Sequence, residues 1–200
     1  MPRKKFAIQI AKELAKDVTT IEKFIYFKDY FPTYLIAYLI SKLPKDRRRH
    51  YLSLFNEEII SIKAGASGNW TDLPKKINED LAWLCGAIAA DGWISIGKEG
   101  KERIGIVDHY KDAIELAQNK FIKTFNFEPR IFKAKKNDAW ILICDNKAIV
   151  RFFIECIKYN AGYKADSVAE PLIIKESPFR LEFAKGVLIF DGSVELSGVI

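Results

Sequence analysis

Apolar positions recur every three or four residues through the first third of the chain, a spacing typical of helices that pack on one face. It predicts four helices, at residues 7–15, 19–28, 33–43 and 46–63. Thr19 and Glu22 have the spacing of a capping box that would open the second helix. Pro32 and Pro44 follow the second and third helices, where proline would end them.

The pattern changes after a stretch rich in turn-forming residues at 64–75, which we interpret as a linker. Alternating apolar residues then appear between helical stretches. The predicted order is a helix at 78–91, strands at 93–97 and 103–110, a helix at 112–125, strands at 130–135 and 140–144, and helices at 147–159 and 178–190. Asn78 and Gly92 have the residue types of the two caps of the first of these helices. We therefore predict an α+β protein with a helical domain at 1–63 and a second domain at 76–200.

One motif occurs twice in the second domain. Residues 84–92 and 184–192 each carry glycine at the third position, apolar residues after it, and Asp-Gly at the end. Glycine in the middle of a helix costs about 1 kcal/mol relative to alanine. That cost is understandable if Gly86 and Gly186 allow two helices to approach closely. The repeat thus predicts direct packing between these two helices.

Parallel packing would bring the two motif aspartates to the same end of the helix pair. The negative end of the helix dipole disfavours a carboxylate there, and two carboxylates repel each other. A hard divalent cation such as Mg²⁺, which prefers oxygen ligands, would relieve both effects. Carboxylates around a divalent metal are also suited to phosphodiester hydrolysis. Asp91 and Asp191 are therefore candidate metal ligands.

The two motifs and the order of elements between them resemble the LAGLIDADG homing endonuclease family, from about Leu73 to the end of the chain. The resemblance implies an αββαββα fold followed by the first helix of a second repeat. It implies Mg²⁺ as the cofactor and double-stranded DNA as the substrate. The implied metal site uses side chains and the preceding main-chain carbonyls, at Asp91, Asp191, Ala90 and Phe190.

Residues 162–171 resemble the Gly-x-Lys-Ser segment that precedes the second motif in the family. The resemblance assigns the catalytic basic residue to Lys164, where a cation would stabilise charge on the scissile phosphate. Ala89 and Ile189 stand where the motif has its first acid. A second pair of hairpins is expected after the second motif, so we expect residues 1–200 alone to hold half of a DNA site and to cut slowly or not at all.

The N-terminal helices resemble a Cro/repressor-type helix-turn-helix, although Ala15 or Lys16 stands where that motif has a turn glycine. A plain helical bundle remains the alternative. In a helix-turn-helix the second helix enters the major groove. That would direct Thr20, Lys23, Tyr26 and Phe27 toward DNA. A basic run close by offers phosphate contacts at Arg47, Arg48 and Arg49.

Strand alternation in the second domain predicts a sheet with one face on helices and the other along the major groove. The candidate DNA contacts on that face are Arg103, His109, Lys133 and Lys135.

The distribution of charge supports a nucleic-acid partner. Residues 1–75 carry 14 Lys and Arg against 8 Asp and Glu, whereas residues 76–200 carry 18 of each. The whole net charge of +6 thus lies in the N-terminal part, which would supply general attraction to a polyanion. A merely soluble basic protein would have the same balance.

The sequence also bears on location and assembly. No apolar run approaches the roughly 20 residues of a membrane helix. Three scattered cysteines fit a reducing, cytoplasmic location. A monomer is expected if the second repeat is complete.

Three functions remain open at this level. The first is a metal-dependent endonuclease that makes a double-strand break in DNA. The second is a non-catalytic DNA-binding regulator that keeps the fold. The third is the endonuclease portion of an intein, ranked last because the sequence has no splicing-type Cys or Ser start and no terminal His-Asn pair.

Overall fold

The computed structural model describes residues 3–26, 32–59, 61–64, 68–97, 101–135, 138–160 and 170–191. The chain divides into two compact units, the first Met1–Glu58 and the second Ile59–Ile200. Among the described residues, no helix has the length and apolar character needed to span a bilayer.

The first unit is helical. Its helices are α1 (Arg3–Glu13), α2 (Val18–Ile25), α3 (Thr33–Ser41) and α4 (Lys45–Glu58). A small core of fully buried side chains joins the first three, formed by Ala7, Ile10, Ala11, Ile21 and Leu35. Ala15 lies between α1 and α2 with φ of 50°, in the left-handed region that favours glycine. The backbone therefore turns sharply at Ala15, one of the two positions where a helix-turn-helix motif would have its turn glycine.

Two of the differences between the observed and the predicted helix boundaries in this unit have a clear structural cause. The N-cap of α2 is Asp17, whose carboxylate accepts a hydrogen bond from the Thr20 amide at 3.1 Å, so the capping box predicted at Thr19 is wrong. The helix predicted to reach residue 63 ends at Glu58, because Ser61–Ile62 forms a short strand instead.

The second unit has an antiparallel sheet with helices on one face. Its first elements are β1 (Ser61–Ile62), β2 (Thr71–Asp72), α5 (Glu79–Asp91), β3 (Gly92–Ile96), β4 (Glu102–Asp108) and α6 (Lys111–Phe125). They are followed by β5 (Arg130–Lys133), β6 (Trp140–Cys144), α7 (Lys147–Glu155), α8 (Leu172–Lys175) and α9 (Arg180–Asp191). The strand order is β3-β4-β6-β5, with every neighbouring pair antiparallel. The α+β class and the αββαββα order predicted from the sequence are confirmed, and the short helix α8 was not predicted.

The stretch interpreted as a linker contributes to the second unit. β1 pairs with β2, with Ser61 opposite Asp72 and Ile62 opposite Thr71. Thr71 is buried, and its hydroxyl donates a hydrogen bond to the main-chain oxygen of Phe125 at 2.7 Å. The part of residues 64–75 that the structure describes is therefore anchored at its C-terminal end to the last residue of α6.

Helix α5 lies at the centre of the second unit. Residues 81–89 are all buried, so the helix is enclosed on every side, as expected of a helix that is apolar all round. Asn78 caps its start by accepting a hydrogen bond from the Leu81 amide. Gly92 follows its end with φ of −92° and ψ of 169°, so the chain passes directly into β3 without a left-handed cap. Glycine is needed there because a Cβ atom would lie 2.6 Å from the Cα atom of Ile88.

A buried carboxylate joins the sheet to α7. The Glu102 side chain, at the start of β4, is only 1% exposed, and the Arg151 guanidinium donates to both of its oxygens at 2.6 and 2.7 Å. Lys147 approaches the same carboxylate at 3.4 Å. These hydrogen bonds, chiefly from Arg151, hold the pKa of Glu102 below its usual value. The ionised form is thus favoured by folding.

We expect the stabilising effect of this carboxylate to depend on pH. Because its pKa is lowered in the folded protein, the contribution is full above the pKa of about 4.3 in the unfolded chain and is lost as the pH falls through the folded value. The variant Glu102→Gln should lose about 2 kcal/mol of unfolding free energy at pH 7. The difference in unfolding free energy between wild type and variant should shrink as the pH falls below about 4.3. Urea titrations across pH would measure it, and a difference of the same size at about pH 7 and about pH 2 would contradict this account.

Candidate active site

Helices α5 and α9 pack backbone to backbone at two glycines. A Cβ atom added to Gly86 would lie 2.0 Å from the main-chain oxygen of Phe183. A Cβ atom added to Gly186 would lie 2.1 Å from the main-chain oxygen of Trp83 and 3.1 Å from the Cα atom of Gly86 itself. Real Cβ atoms do not approach other atoms so closely. The direct packing predicted from the two mid-helix glycines is confirmed.

This contact brings the C-terminal ends of both helices together. The Trp83 and Phe190 rings meet edge to face, with 5.9 Å between their centroids. At the two helix ends, Asp91 is half-buried and Asp191 is exposed. Both line one cleft with a volume of about 350 Å³, whose other walls are Asp108, His109, Tyr110, Ile189 and Phe190.

The end of β4 supplies three cleft residues, of which the sequence identified only His109, and that as a DNA contact. Asp108 Oδ1 accepts a hydrogen bond from the Tyr110 amide at 2.6 Å, which fixes the turn into α6. Nδ1 of His109 lies 2.9 Å from the main-chain oxygen of Asp138. A carbonyl oxygen only accepts, so Nδ1 carries the proton and Nε2 of the neutral ring is left as an acceptor. The signal for this site in the sequence is a run of polar residues directly after an apolar strand.

The chemistry of the cleft suits a divalent cation. Asp91 and Asp191 lie at the negative ends of two helices, and Asp108 adds a third carboxylate to the same walls. Within the described ranges, no three acidic, His or Cys side chains converge closely enough to hold a metal ion by themselves. The two motif aspartates would therefore need further oxygen ligands. Main-chain carbonyls of Ala90 and Phe190, water and phosphate are ligands of the required kind.

Other sequence-predicted parts of the site fall elsewhere. Lys164, which the resemblance identifies as the catalytic basic residue, lies outside the described residues, as does Gly192 of the second motif. Ile189, which replaces the first acid of that motif, lines the cleft. Ala89, its counterpart, is buried.

The sheet has an inner face toward the helices and an outer face away from them. The inner face consists of Ile94, Ile104, Ile106, Ile131, Trp140, Leu142 and Cys144, which all contact the hydrophobic core. Alternation and the pairing register give the outer face, defined here as Trp93, Ser95, Arg103, Gly105, Val107, Arg130, Phe132, Ile141 and Ile143.

The predicted basic residues divide between these faces. Arg103 is exposed and belongs to the outer face as predicted, and His109 follows β4 on the same alternation. Lys133 is paired with Trp140 of β6, and Trp140 is paired with Asp108 at the end of β4. Because Trp140 is on the inner face, Lys133 also lies on the inner face, at the end of the sheet. Placing Lys133 on the same face as Arg103 was wrong, because the hairpin register could not be read from alternation within β5 alone. Lys135 is exposed and lies beyond the end of β5.

Lys133 belongs to a small cluster beside His109. Its ammonium contacts Asp138 Oδ1 at 2.6 Å and holds the pKa of that carboxyl below its usual value. The same ammonium and that of Lys111 lie 5.9 and 5.3 Å from the centroid of the Trp140 ring. Two cations thus flank one indole close to the cleft residues of β4.

In the first unit, the predicted DNA contacts lie on the exposed side of α2. Thr20 and Lys23 are exposed on the helix, and Tyr26 is exposed at its C-cap. Phe27 lies outside the described residues. Arg47 and Arg48 are exposed near the start of α4, where the Arg48 side chain donates to the main-chain oxygen of Leu43 at 2.8 Å.

Comparison with known proteins gives one family and several solved structures. Residues 78–156 match the family model of the LAGLIDADG-like domain. No curated protein matches the chain. The chain is similar to I-DmoI in complex with DNA and Mn, at 17% identity over 56% of this chain and 61% of that one, with a TM-score of 0.39.

Two further solved structures give similar values. I-DmoI in complex with DNA and Ca is 18% identical over 57% of this chain and 58% of that one, with a TM-score of 0.40. Mesophilic variants of the homing endonuclease I-DmoI are 18% identical over 57% of this chain and 62% of that one, with a TM-score of 0.41. The chain spans about three fifths of the length of these structures.

The matched segment begins at the N-cap of α5 and ends at the C-cap of α7. It contains the first motif helix with Asp91 and the whole four-stranded sheet, whereas α9 lies after it. Residues 78–156, which form this αββαββα domain, thus resemble the LAGLIDADG-like domain family.

Proposed function

We propose that this protein is a metal-dependent, site-specific endonuclease of double-stranded DNA. The single observation that carries the proposal is the meeting of Asp91 and Asp191 in one cleft, imposed by the contact between Gly86 and Gly186. Each mid-helix glycine destabilises its helix relative to alanine. The two glycines together allow two acidic helix ends to approach closely. A purely structural helix pair has no need of a carboxylate at each negative end.

The residues of the cleft have distinct roles in this proposal. Asp91 and Asp191 hold the cation, for which we propose Mg²⁺, together with the carbonyls of Ala90 and Phe190. A divalent cation bound there would lower the pKa of a water molecule that it binds and would stabilise negative charge on the phosphate. The acceptor Nε2 of His109, fixed through Nδ1, orients a water molecule at the cleft wall.

A cleavage assay tests the proposal. Supercoiled plasmids carrying a library of inserts are incubated with the full chain and Mg²⁺ or Mn²⁺, and linear products are sequenced at their ends. Because residues 1–200 are expected to hold only half of a DNA site, we expect slow cutting over long incubation, which requires the divalent cation and recurs at related sequences. DNA binding without any cutting, at every cation tested and after prolonged incubation, would overturn the assignment as an enzyme.

A non-catalytic DNA-binding regulator is the second candidate. It is favoured by the cleft lining, in which the described walls offer no Lys or Arg to stabilise a scissile phosphate. The same assay separates the two functions, since a regulator would bind with sequence preference and leave the plasmid intact.

We propose that the first unit binds DNA as a helix-turn-helix with α2 as the recognition helix. The left-handed turn at Ala15, directly before α2, supports this reading because that motif needs a sharp turn between its two helices. The exposed side of α2 carries Thr20, Lys23 and Tyr26, and Arg47 on α4 offers a phosphate contact.

Removal of one charge from α2 tests this proposal. We expect Lys23→Gln to weaken DNA binding and to reduce the slope of log K against log salt concentration by about 0.9, the value of one phosphate contact. Lys123→Gln is the matched control, because Lys123 is exposed on α6 in the second unit. Fluorescence anisotropy across salt concentrations gives both slopes. Equal slopes for Lys23→Gln and the wild type would show that α2 does not contact phosphate.

We also propose a reducing, cytoplasmic location. Cys85, Cys144 and Cys156 are free thiols, which fits such a compartment. Burial raises the pKa of Cys85, and raises that of Cys144 to about 12, so neither is reactive at neutral pH.

A further inference from the structure

The outer face of the sheet is poor in groups that form hydrogen bonds. Base edges in the major groove are commonly distinguished by Arg, Lys, Asn and Gln side chains. On the outer face the polar side chains that protrude are Ser95, Arg103 and Arg130. Arg130 is already paired with Asp145 at 2.7 Å. This face therefore has few donors with which to read bases, although it is the face proposed to meet DNA.

The apolar side chains of the outer face are ordered along the strands. At the cleft end, Val107, Ile141 and Phe132 stand side by side on β4, β6 and β5. Val107 directly precedes Asp108 of the cleft wall. This apolar row crosses two strand spacings, about 10 Å, which is about three base steps. Phe132 is 46% exposed, so the row is open at its outer edge.

The next row away from the cleft is mixed. Trp93, Gly105, Ile143 and Arg130 are aligned across the four strands. The Trp93 indole lies flat on Gly105, since a Cβ atom at Gly105 would lie 2.1 Å from the ring. Ser95 and Arg103 form the pair farthest from the cleft. The face thus passes from apolar at the cleft to polar at the far end.

None of the cleft-end side chains belongs to the hydrophobic core. Val107, Ile141 and Phe132 are absent from the cluster that the helices form with the inner face. Core packing therefore does not explain why three neighbouring outward positions are apolar. In the major groove, the apolar group that a base presents is the C5-methyl of thymine. A row of branched and aromatic side chains is complementary to such methyl groups.

We propose that the row Val107, Ile141 and Phe132 reads thymine methyl groups, so that the preferred DNA is rich in A·T pairs next to the cleavage position. This inference rests on the proposed function, because it assumes that the outer face lies in the major groove. Specificity near the cut then comes from burial of methyl groups, while arginine contacts act farther out. Each buried methyl group strengthens binding roughly fourfold.

Competition binding with methyl-matched polymers tests the proposal. The full chain is bound to a labelled duplex of mixed sequence and displaced with poly(dA-dT), poly(dA-dU), poly(dG-dC) or poly(dG-5-methyl-dC). The members of each pair differ only in the C5-methyl group. We expect the methylated member of each pair to compete at least about fourfold better. If both members of each pair compete equally while DNA binding is intact, the proposed contact with thymine methyl groups is wrong and the proposed function is unaffected.

Variants assign the effect to the row. In Val107→Ser/Ile141→Ser the methyl preference should fall by at least half, since Phe132 remains, whereas Ile122→Ser, on the exposed side of α6, should retain it. A preference unchanged in the double variant would overturn the assignment to this row. Loss of self-association in the double variant, without a methyl effect in the wild type, would identify the row as a protein interface instead. Failure to bind any polymer would overturn the proposed function itself.

Discussion

Replacement of Gly86 by alanine is expected to lower the unfolding free energy of the second unit by about 3 kcal/mol, although alanine is the better helix former. The added methyl group would lie 2.0 Å from the main-chain oxygen of Phe183, and backbone cannot rotate away as a side chain does. The helices must separate instead, which disrupts the contact between Trp83 and Phe190. Urea denaturation followed by tryptophan fluorescence measures the loss, and the melting temperature should fall by about 6–12 °C.

Two further variants sharpen this test. Gly186→Ala should cost a similar amount, and the double variant should cost less than the two together, because both methyl groups enter the same contact. Gly97→Ala is the control, since its added Cβ would meet its nearest atom at 3.2 Å and no helix pair depends on it. A Gly86→Ala protein as stable as the wild type would refute the close packing of α5 and α9.

Replacement of Asp91 by asparagine is expected to abolish DNA cleavage, with a loss of at least about 10³-fold in rate, while DNA binding remains intact. The change keeps the size of the side chain and removes the charge that is proposed to hold the cation. In the absence of divalent cations, binding should even strengthen slightly, because a negative charge facing phosphate is removed. Single-turnover cleavage and anisotropy with the same duplex separate the two effects.

Asp112→Asn provides the matched control, since Asp112 is exposed in the first turn of α6 and does not line the cleft. It removes the same charge and should leave the cleavage rate within about twofold of the wild type. A parallel loss of cutting and binding in Asp91→Asn would show that the aspartate supports the fold rather than the chemistry.

The features of the site that depend on short sequence patterns could be predicted from the sequence. Mid-helix glycine has a known cost, so its repetition at Gly86 and Gly186 pointed to a helix contact, and the aspartates at both helix ends followed from it. The strand and helix order was likewise carried by apolar periodicity. These features depend on residues within one turn or one strand, where the sequence alone holds the information.

The features that were missed depend on partners distant in the chain. The face of Lys133 is set by the register between β5 and β6, and one residue of slip moves a side chain to the other face. The end of α4 at Glu58 depends on the pairing of Ile62 with Thr71. Asp108 lines the cleft because α9, which is distant in the sequence, supplies the opposite wall.

The contact between Gly86 and Gly186 also has a consequence for how the molecule reaches its native state. These residues are separated by 100 positions, whereas the pairs β3-β4 and β5-β6 join neighbouring segments. Contacts of long sequence separation close large loops and form slowly. We therefore expect α9 to dock last, on a sheet already folded around α5. The acidic cleft would then come into existence only in the final step of folding, so partly folded chains would lack a complete cation site.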